Sequence, residues 1–320
     1  KSLNLERLPM LTKFMYHCPE LVKLMQSTYH DSSYHLEGSV WTHTCMVYSY
    51  VQAIHPDNKV LLVAAILHDI GKCYTGEVID GRTSFKSHEG VSTMLATDIL
   101  PIFDLTEQEK IDVLKVISLH GVNVSQLSVP YLSMFRKADA TGRITNKDTR
   151  KDYESRRFHK PTLTPKFNVT FLVGLPCSRK STYTKSLGLD ILSRDDLLTS
   201  QHPALSYNQA YSLVHSNPDS LAKFNQSFEQ HITSKARAGK NLIIDMTMLS
   251  LKSRRSMMTR FKHASFNAIV FLPKYSQVLE CNATRPGKSI SPEILHSMSK
   301  SFVMPVLEEG FTNISYILEP

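Results

Sequence analysis

Apolar residues in the first half of the chain recur at helical rather than alternating spacing. The most apolar stretch, LLVAAIL at 61–67, contains no polar position and runs directly into His68 and Asp69. An unbroken apolar run of this kind predicts a buried helix, and Gly71 marks its end near residue 72. The same spacing predicts helices at 5–25 (broken at Pro9 and Pro19), 43–54, from 87 onward, 105–120 and 130–142. The first half is therefore predicted to be almost entirely α-helical.

The second half has a different pattern, in which short apolar runs alternate with helical segments. The run NVTFLV at 168–173 is rich in β-branched residues and is typical of a buried strand. Similar runs predict strands at 241–245, 267–272 and 314–318, and helices are predicted at 251–263 and 292–304. Strands that alternate with helices indicate a doubly wound parallel sheet, whose ligands bind beyond the carboxyl ends of the strands.

The 320-residue chain is long enough for two domains that each bury a core. A basic stretch with two prolines and little apolar periodicity, 153–166, separates the two patterns. We therefore predict an all-α domain at 1–155, a linker at 156–166 and an α/β domain with a parallel sheet at 167–320.

The formal net charge of +8 is concentrated in the second half. Residues 1–160 contain 19 Lys and Arg against 18 Asp and Glu, whereas residues 161–320 contain 18 against 11. A basic half favours a polyanionic partner such as nucleic acid or a nucleotide, although simple solubility is a competing explanation. A membrane span is not expected, because no run of about 18 apolar residues occurs. The five cysteines form no C-x-x-C pair, which is typical of reduced thiols in a cytoplasmic protein.

Six ionisable residues of the first half fall at the end or on the inner face of predicted helices: His43, His68, Asp69, His88, His120 and Asp139. One such histidine alone is more often structural than a ligand. Buried imidazoles and carboxylates are costly to desolvate unless a partner compensates them, and a metal ion is such a partner. Imidazole and carboxylate donors without thiolate suit a divalent first-row transition metal better than calcium or magnesium. Two such ions about 3.5–4 Å apart can clamp a phosphoryl group for in-line displacement.

The order H…HD…H…H…D resembles the HD phosphohydrolase superfamily over about residues 30–145. The resemblance implies one metal ion held by His43, His68, Asp69 and Asp139. It further implies a second ion held by His88 and His120, with Asp69 bridging the two ions and acting as a catalytic residue. The implied reaction is hydrolysis of a phosphoester, and Mn, Ni, Co, Fe and Zn are not distinguished. Lys72 and Arg143 are either contacts for a substrate phosphate or solvated side chains.

The strand predicted at 168–173 leads into GLPCSRKST at 174–182, which opens a helix. This is the context of a Walker A loop, in which backbone N–H groups cradle phosphates, a lysine reaches the β- and γ-phosphates and a serine hydroxyl binds magnesium. Lys180 and Ser181 occupy those two positions, but Arg179 stands where the pattern requires glycine. Glycine tolerates backbone torsions that strain other residues, so Arg179 would strain the loop. The loop is therefore active, weakened or inactive, and its other features favour an active or weakened loop.

Four segments resemble polynucleotide 5′-kinases of RNA and DNA repair over about residues 168–318: the loop GLPxSxKST, SRDD at 193–196, IIDMT at 243–247, and RPGK at 285–288 with EEGF at 308–311. By this resemblance ATP and its Mg²⁺ are bound by Gly174, Lys180, Ser181, Thr182 and Arg285, with Ser181 on the magnesium ion. Lys180 and Arg285 also act in catalysis on the phosphates. Asp195 is the implied general base, which takes the proton from a ribose 5′-OH.

Other residues of this half have less defined roles by the same resemblance. Asp245 lies near the magnesium ion or orients its neighbours, and Lys288 is a weaker candidate for a phosphate contact. Related kinases bind the 3′-phosphate of the acceptor with an arginine shortly after the Asp-Asp pair, whereas this chain has leucines at 197–198. Arg254 and Arg255 form either a solvated helix face or a contact to RNA.

Together the two halves resemble the HD-Pnk type of RNA end-healing enzyme. Such an enzyme removes a 2′,3′-cyclic phosphate or a 2′/3′-phosphate with its HD domain and phosphorylates a 5′-OH end with its kinase domain. The implied partners are broken RNA, tRNA among the candidates, and an RNA ligase that acts afterwards. Two alternatives remain at this point. One is an HD phosphatase whose P-loop domain, degenerate at Arg179, only binds RNA, and the other is an HD nucleotidase fused to a small-molecule kinase.

Overall fold

A computed structural model describes residues 9–30, 35–122, 128–145 and 164–319. The chain divides into two compact units, of which the first comprises 1–156 with Ser299–Met304 and the second comprises 157–298 with Pro305–Pro320. Residues 156–163 of the predicted linker lie outside the described part. Among the described residues, no helix combines the length and the apolar character needed to cross a membrane.

In its described residues the first unit is helical apart from one small hairpin, as the spacing of its apolar residues predicted. Its elements are α1 (Met10–His17), α2 (Pro19–Ser27), α3 (Val40–Ile54), α4 (Lys59–Leu67), β1 (Glu77–Ile79), β2 (Arg82–Ser84), α5 (His88–Ile99), α6 (Glu107–Leu119) and α7 (Leu132–Thr141). Polar caps fix where the central helices begin: Ser39 caps α3, Asn58 caps α4, and Thr106 with Glu109 forms a capping box on α6.

Helix α4 is the buried centre of this unit, since every residue from Val60 to Leu67 is buried. The helix ends at Leu67, earlier than predicted, and a 3₁₀ turn over Ile70–Tyr74 follows. A Cβ atom added at Gly71 would lie 2.3 Å from the carbonyl oxygen of His88 and 2.6 Å from the amide nitrogen of Ser92. Glycine therefore allows the turn after Asp69 to pack against the first turn of α5.

The second unit is an α/β fold. Its elements are β3 (Phe167–Val173), α8 (Lys180–Lys185), β4 (Asp190–Leu192), α9 (Arg194–Gln201), α10 (Tyr207–His215), α11 (Pro218–Ala238), β5 (Leu242–Asp245), α12 (Leu251–Met258), β6 (Ala264–Phe271), α13 (Tyr275–Thr284), α14 (Pro292–Ser301, whose last residues belong to the first unit) and β7 (Phe311–Ile317).

The five strands described in this unit form one parallel sheet in the order β4-β5-β3-β6-β7. The sheet confirms the predicted architecture. Strand β4 was not predicted, because it has only three residues and pairs along one side. The carboxyl ends of β3 and β5, which pair directly, lead into the Walker loop and Asp245. This is the edge at which a parallel α/β sheet binds its ligands.

Arg254 is neither a solvated nor an RNA-facing residue, so both interpretations offered for it from the sequence are wrong. Its side chain is fully buried and forms a two-pronged pair with Glu309 (Nε–Oε2 2.7 Å, Nη2–Oε1 2.8 Å). Its Nη1 also donates to the carbonyl oxygens of Met248 and Leu249, each at 3.0 Å. A buried charge with this set of partners fixes the loop after β5 and the turn before β7. Arg255 beside it is exposed.

Candidate metal centre and phosphate loop

Four donor atoms from α3, the end of α4 and α7 converge in the first unit. Nε2 of His43 lies 3.4 Å from Nε2 of His68, 2.9 Å from Oδ1 of Asp139 and 3.7 Å from Oδ2 of Asp69. Nε2 of His68 lies 3.4 Å from Oδ2 of Asp69 and 3.7 Å from Oδ1 of Asp139. Donor atoms separated in this way can all reach one cation at ordinary ligand distances of about 2.0–2.2 Å. The structure thus brings together the four residues predicted for the first metal ion.

The second predicted group lies on the other oxygen of the same aspartate. Oδ1 of Asp69 is 3.0 Å from Nε2 of His88 and 3.7 Å from Nε2 of His120, and the two imidazole nitrogens are 3.4 Å apart. This oxygen is buried and accepts no hydrogen bond from the described residues. A buried carboxylate oxygen without a hydrogen bond is costly unless a cation compensates it. The residues therefore fit a pair of metal ions bridged by Asp69.

The backbone orients the four imidazoles of this centre. Nδ1 of His68, His88 and His120 each donates to a backbone carbonyl three residues earlier, at 3.0, 2.9 and 2.7 Å. Nδ1 of His43 lies 3.0 Å from the carbonyl oxygen of Gly142. Because Nδ1 of each ring faces a carbonyl oxygen, Nε2 is the nitrogen that points into the centre. Such contacts fix the tautomer and orientation of metal-binding histidines.

The electrostatic field of the centre favours cations. Burial opposes ionisation of Asp69 and Asp139, but their histidine and cationic neighbours keep the pKa of each carboxyl well below its ordinary value. Burial also opposes the charge on His43, yet its hydrogen bonds to Asp139 and Glu37 raise its pKa to about 9. A metal ion bound here displaces the proton of that imidazole.

Lys72 and Arg143 flank the centre, and the structure places neither in open solvent. Nζ of Lys72 is buried and donates to Oδ2 of Asp69 at 2.7 Å and to Nε2 of His30 at 3.1 Å. Nη2 of Arg143 donates to Oδ2 of Asp139 at 2.6 Å. Each cation thus pairs with a carboxylate of the centre, and a phosphate beside the centre would compete for both.

Three residues of the approach to α3 belong to this site and were not singled out from the sequence: His30, His35 and Glu37. Their donor atoms lie within 4.8 Å of one another. Oε1 of Glu37 already accepts from Nδ1 of His35 at 2.8 Å and from Nδ1 of His43 at 2.9 Å. The rings of His30 and His35 are stacked, with centroids 4.1 Å apart. We interpret this group as support for His43 rather than as a third metal site, because the carboxylate is engaged in orienting imidazoles.

Replacing Glu37 with alanine is expected to weaken metal binding about 10- to 100-fold, because His43 loses the carboxylate that orients it. Glu37→Gln, which keeps an acceptor without the charge, should lie between the alanine variant and the parent. Competition with a chromophoric chelator measures the affinity directly. The control is Glu20→Ala, since Glu20 is an exposed residue paired only with Lys23 among the described contacts. Equal affinities of the alanine variants would contradict the orienting role.

The Walker loop follows β3 in the second unit. Cys177 and Arg179 both have left-handed backbone torsions, with φ of 64° and 67°. Arginine therefore occupies the missing glycine position with a glycine-like backbone, at a strain of about 1–2 kcal/mol. A backbone in which left-handed residues alternate with residues of negative φ directs successive N–H groups into an anion-binding concavity. Gly174 is required for close packing, because an added Cβ would lie 2.8 Å from Oγ of Ser178 and 3.0 Å from the carbonyl oxygen of Phe271.

The residues predicted to bind phosphate and magnesium lie at the end of the loop. Nζ of Lys180 is buried and donates to the carbonyl oxygens of Gly174 at 2.9 Å and Leu175 at 2.7 Å. Oγ of Ser181 donates to Oδ2 of Asp245 at 3.0 Å, so the hydroxyl and carboxylate expected at the magnesium ion are neighbours. Thr182 is exposed in the first turn of α8 and has no described contact to this pair.

Asp195 lies in the first turn of α9 and is held by two groups. Oδ1 accepts from the hydroxyl of Tyr207 at 3.0 Å, and Oδ2 pairs with Nζ of Lys288. The Lys288 ammonium also lies 4.2 Å from the centroid of the Tyr207 ring. Burial and the charge of Asp195 raise the pKa of Tyr207, so its hydroxyl remains a donor. Sequence reasoning did not identify Tyr207, and it assigned Lys288 to phosphates rather than to this carboxylate.

Arg285 follows α13 and acts on the same site. Burial lowers the pKa of Lys180 most, the charge of Arg285 lowers it further, and the carboxylates of Asp245 and Asp195 raise it. The side chains predicted for nucleotide and proton transfer therefore lie within electrostatic range of one another. This is the arrangement expected where a phosphoryl group is transferred with its charge neutralised.

Comparison with known proteins agrees with this division. Residues 40–141 match the family described as HD domain, and residues 169–304 match a family described as AAA domain. A candidate kinase from Chloroflexus aurantiacus J-10-fl, known from a crystal structure, is similar at 15% identity over 48% of this chain and 88% of its own, with a TM-score of 0.34. No curated protein matches the chain. The HD match thus falls on the helical part of the chain, and the AAA match falls on the part that contains the Walker loop and the five-stranded parallel sheet.

Proposed function

We propose that this protein repairs both ends of a broken RNA. The HD domain removes a 2′,3′-cyclic phosphate or a 2′/3′-phosphate, and the P-loop domain transfers the γ-phosphate of ATP to a 5′-OH. The observation that carries the proposal is that one chain contains two sites. The first is a cluster of imidazoles on both sides of the Asp69 carboxylate, and the second is a P-loop with the Asp195 carboxylate nearby. Their products, a 3′-OH and a 5′-phosphate, are the ends that an RNA ligase joins.

In the HD domain, Asp69 and the imidazoles on either side of it would hold the metal ions. Two bound divalent ions supply Lewis acidity toward a phosphoryl group. Lys72 and Arg143 would bind the remaining phosphate oxygens; their contacts to carboxylates of the centre support this role. Exchange of a carboxylate partner for a phosphate would direct the substrate phosphorus toward the bridge at Asp69.

In the kinase domain, the loop backbone and Lys180 would bind the ATP phosphates, with Ser181 and Asp245 beside magnesium. Asp195 would accept the proton of the attacking 5′-OH. Its carboxylate is kept in one orientation by Tyr207 and Lys288, which a general base requires. Lys288 must release one oxygen of Asp195, or share it, when a hydroxyl group binds there.

The first test is transfer of labelled γ-phosphate from ATP to a 5′-OH RNA oligonucleotide, with Lys180→Ala as the control. Transfer by the parent and its loss in the variant would support the kinase assignment and show that Arg179 is tolerated. A parallel assay follows metal-dependent release of phosphate from an RNA with a 2′,3′-cyclic end. Phosphatase activity without transfer would instead favour a P-loop domain that only binds RNA.

A nucleotidase fused to a small-molecule kinase predicts a different dependence on salt. Free nucleotides contact few cations, whereas RNA binding releases several counterions, so log Kd for RNA should depend steeply on log salt. The net charge of +7 in residues 161–320 supports the RNA alternative. Activity that depends little on salt and prefers mononucleotides would overturn it.

The affinity for ATP is expected to fall above pH 8. Burial, partly offset by Asp245, lowers the pKa of Lys180 to about 8, so the free protein loses this charge as the pH rises through 8. Bound phosphates raise the pKa again, and hence KM for ATP should increase about tenfold between pH 7 and pH 9. Lys180→Arg keeps its charge throughout, so a flat profile for that variant is the control. A parent profile equally flat would contradict the assignment of Lys180 to the phosphates.

A further inference from the structure

Three aromatic rings form a row along helix α10, at Tyr207, Tyr211 and His215. The rings of Tyr207 and Tyr211 are stacked with centroids 6.1 Å apart and an angle of 28°. Those of Tyr211 and His215 are 3.8 Å apart at 15°. Residues four apart on a helix lie on one face, so the three rings line a single edge of α10. We call these three residues the aromatic row.

The row begins at the acceptor end of the kinase site. The hydroxyl of Tyr207 donates to Asp195 at 3.0 Å, and Lys288 lies over the ring of Tyr207. A nucleotide whose 5′-OH lies at Asp195 would therefore meet Tyr207, the first residue of the row. The row leads away from the carboxylate for eight residues of helix, or about 12 Å.

The buried face of α10 fixes the start of the row in place. Ala210 and Val214 are buried in a cluster with Leu198 and Phe224, and Tyr207 itself packs against this cluster. Nδ1 of His215 donates to the carbonyl oxygen of Tyr211 at 2.9 Å, which holds that ring against its neighbour. The side chain of Tyr211 is nevertheless 46% exposed. A pair of aromatic residues on a helix stabilises it by only about 0.2–0.5 kcal/mol, so helix stability alone does not explain the large exposed ring of Tyr211.

We propose that the aromatic row is a stacking surface for the bases of a single-stranded polynucleotide whose 5′ end lies at Asp195. This inference rests on the proposed kinase function and names how its acceptor is recognised. Bases stack on aromatic rings with little dependence on sequence, at about 1–3 kcal/mol per base. Because His215 covers one face of Tyr211, a base that stacks on that face must displace the imidazole. Helix α9 offers no alternative, since Leu197 and Leu198 pack against the interior cluster. A polynucleotide fits better than a mononucleotide, because only a polynucleotide has bases beyond the terminal one.

The test compares Tyr211→Ala with Leu213→Ala. Leu213 is 52% exposed on the other side of the same helix, so its replacement removes exposed apolar surface without touching the row. The acceptors are a 5′-OH RNA octamer, the same octamer with abasic second and third nucleotides, and a nucleoside 3′-phosphate. We expect Tyr211→Ala to raise KM for the intact octamer about 5- to 150-fold, the range that 1–3 kcal/mol corresponds to. Tyr211→Trp should restore it.

Two further outcomes identify stacking as the cause. The preference of the parent for the octamer over the nucleoside 3′-phosphate should shrink by the same factor in Tyr211→Ala, and the abasic octamer should show little additional loss in that variant. KM for ATP should be equal in Tyr211→Ala and Leu213→Ala. Equal octamer KM values in these two variants would overturn the inference.

Binding of the octamer, labelled at its 3′ end and followed by fluorescence anisotropy, separates this inference from the kinase assignment. If the parent transfers no phosphate but Tyr211→Ala still weakens binding with an unchanged salt slope, the stacking surface stands and the kinase proposal fails. If binding by Tyr211→Ala and the parent is the same, the stacking surface is wrong whether or not the protein is a kinase.

Discussion

Replacing Asp69 with asparagine is expected to abolish the phosphohydrolase activity, with a loss on the order of 10³-fold or more. One oxygen of this carboxylate faces His43 and His68, and the other faces His88 and His120. An amide offers one neutral oxygen, and its NH₂ group would point a donor at one of the two metal positions. No other described carboxylate lies between the two groups of imidazoles, so both positions should lose affinity together.

The measurement is release of the 2′,3′-cyclic phosphate from RNA, together with the metal content of the purified protein by elemental analysis. Asp104→Asn makes the same chemical change in the same unit at a side chain that is 95% exposed, and it should behave as the parent. Phosphate transfer from ATP provides an internal check, since the P-loop domain contains none of these ligands. Retention of both metal and activity by Asp69→Asn would mean that Asp69 does not bridge the centre.

The sequence alone predicted those parts of the molecule in which a residue type has a single physical consequence. The apolar run at 61–67 could only be buried, and it became the core of the first unit. The alternation of apolar runs with helices after residue 166 predicted the parallel sheet. Histidine and aspartate at the ends of buried helices had to meet other ionisable groups, and the six predicted residues do lie together.

Residues whose role depends on a distant partner were not predictable in this way. Glu37 acts on His43 and His35 through contacts of its carboxylate, and no periodicity distinguishes it from other polar loop residues. Arg254 and Arg255 are adjacent residues of the same type, yet only Arg254 faces inward. Its partner is Glu309, which lies 55 positions later in the sequence. For Glu37, the available signal was the composition of residues 30–37, which contain two histidines and a glutamate.

Asp195→Asn is expected to lower the rate of phosphate transfer to a 5′-OH by about 10²- to 10⁴-fold, the usual contribution of a general base. The amide oxygen can still accept from Tyr207, so the side chain should keep its place. It can neither take up the proton of the attacking hydroxyl nor pair ionically with Lys288. KM for ATP should change little, because the phosphates are assigned to the loop and Lys180. The loss should therefore lie in kcat.

The neighbouring residue provides a matched control, since Asp196 is an exposed carboxylate in the same turn of α9. Asp196→Asn makes the same change one position along and leaves the contacts to Tyr207 and Lys288 intact, so its kcat should be close to that of the parent. An equal loss in both variants would assign the effect to the acidic turn as a whole. A loss confined to Asp196→Asn would mean that Asp196, and not Asp195, is the base. Hydrolysis of the 2′,3′-cyclic end by each variant should remain unchanged, because we assign that reaction to the other domain.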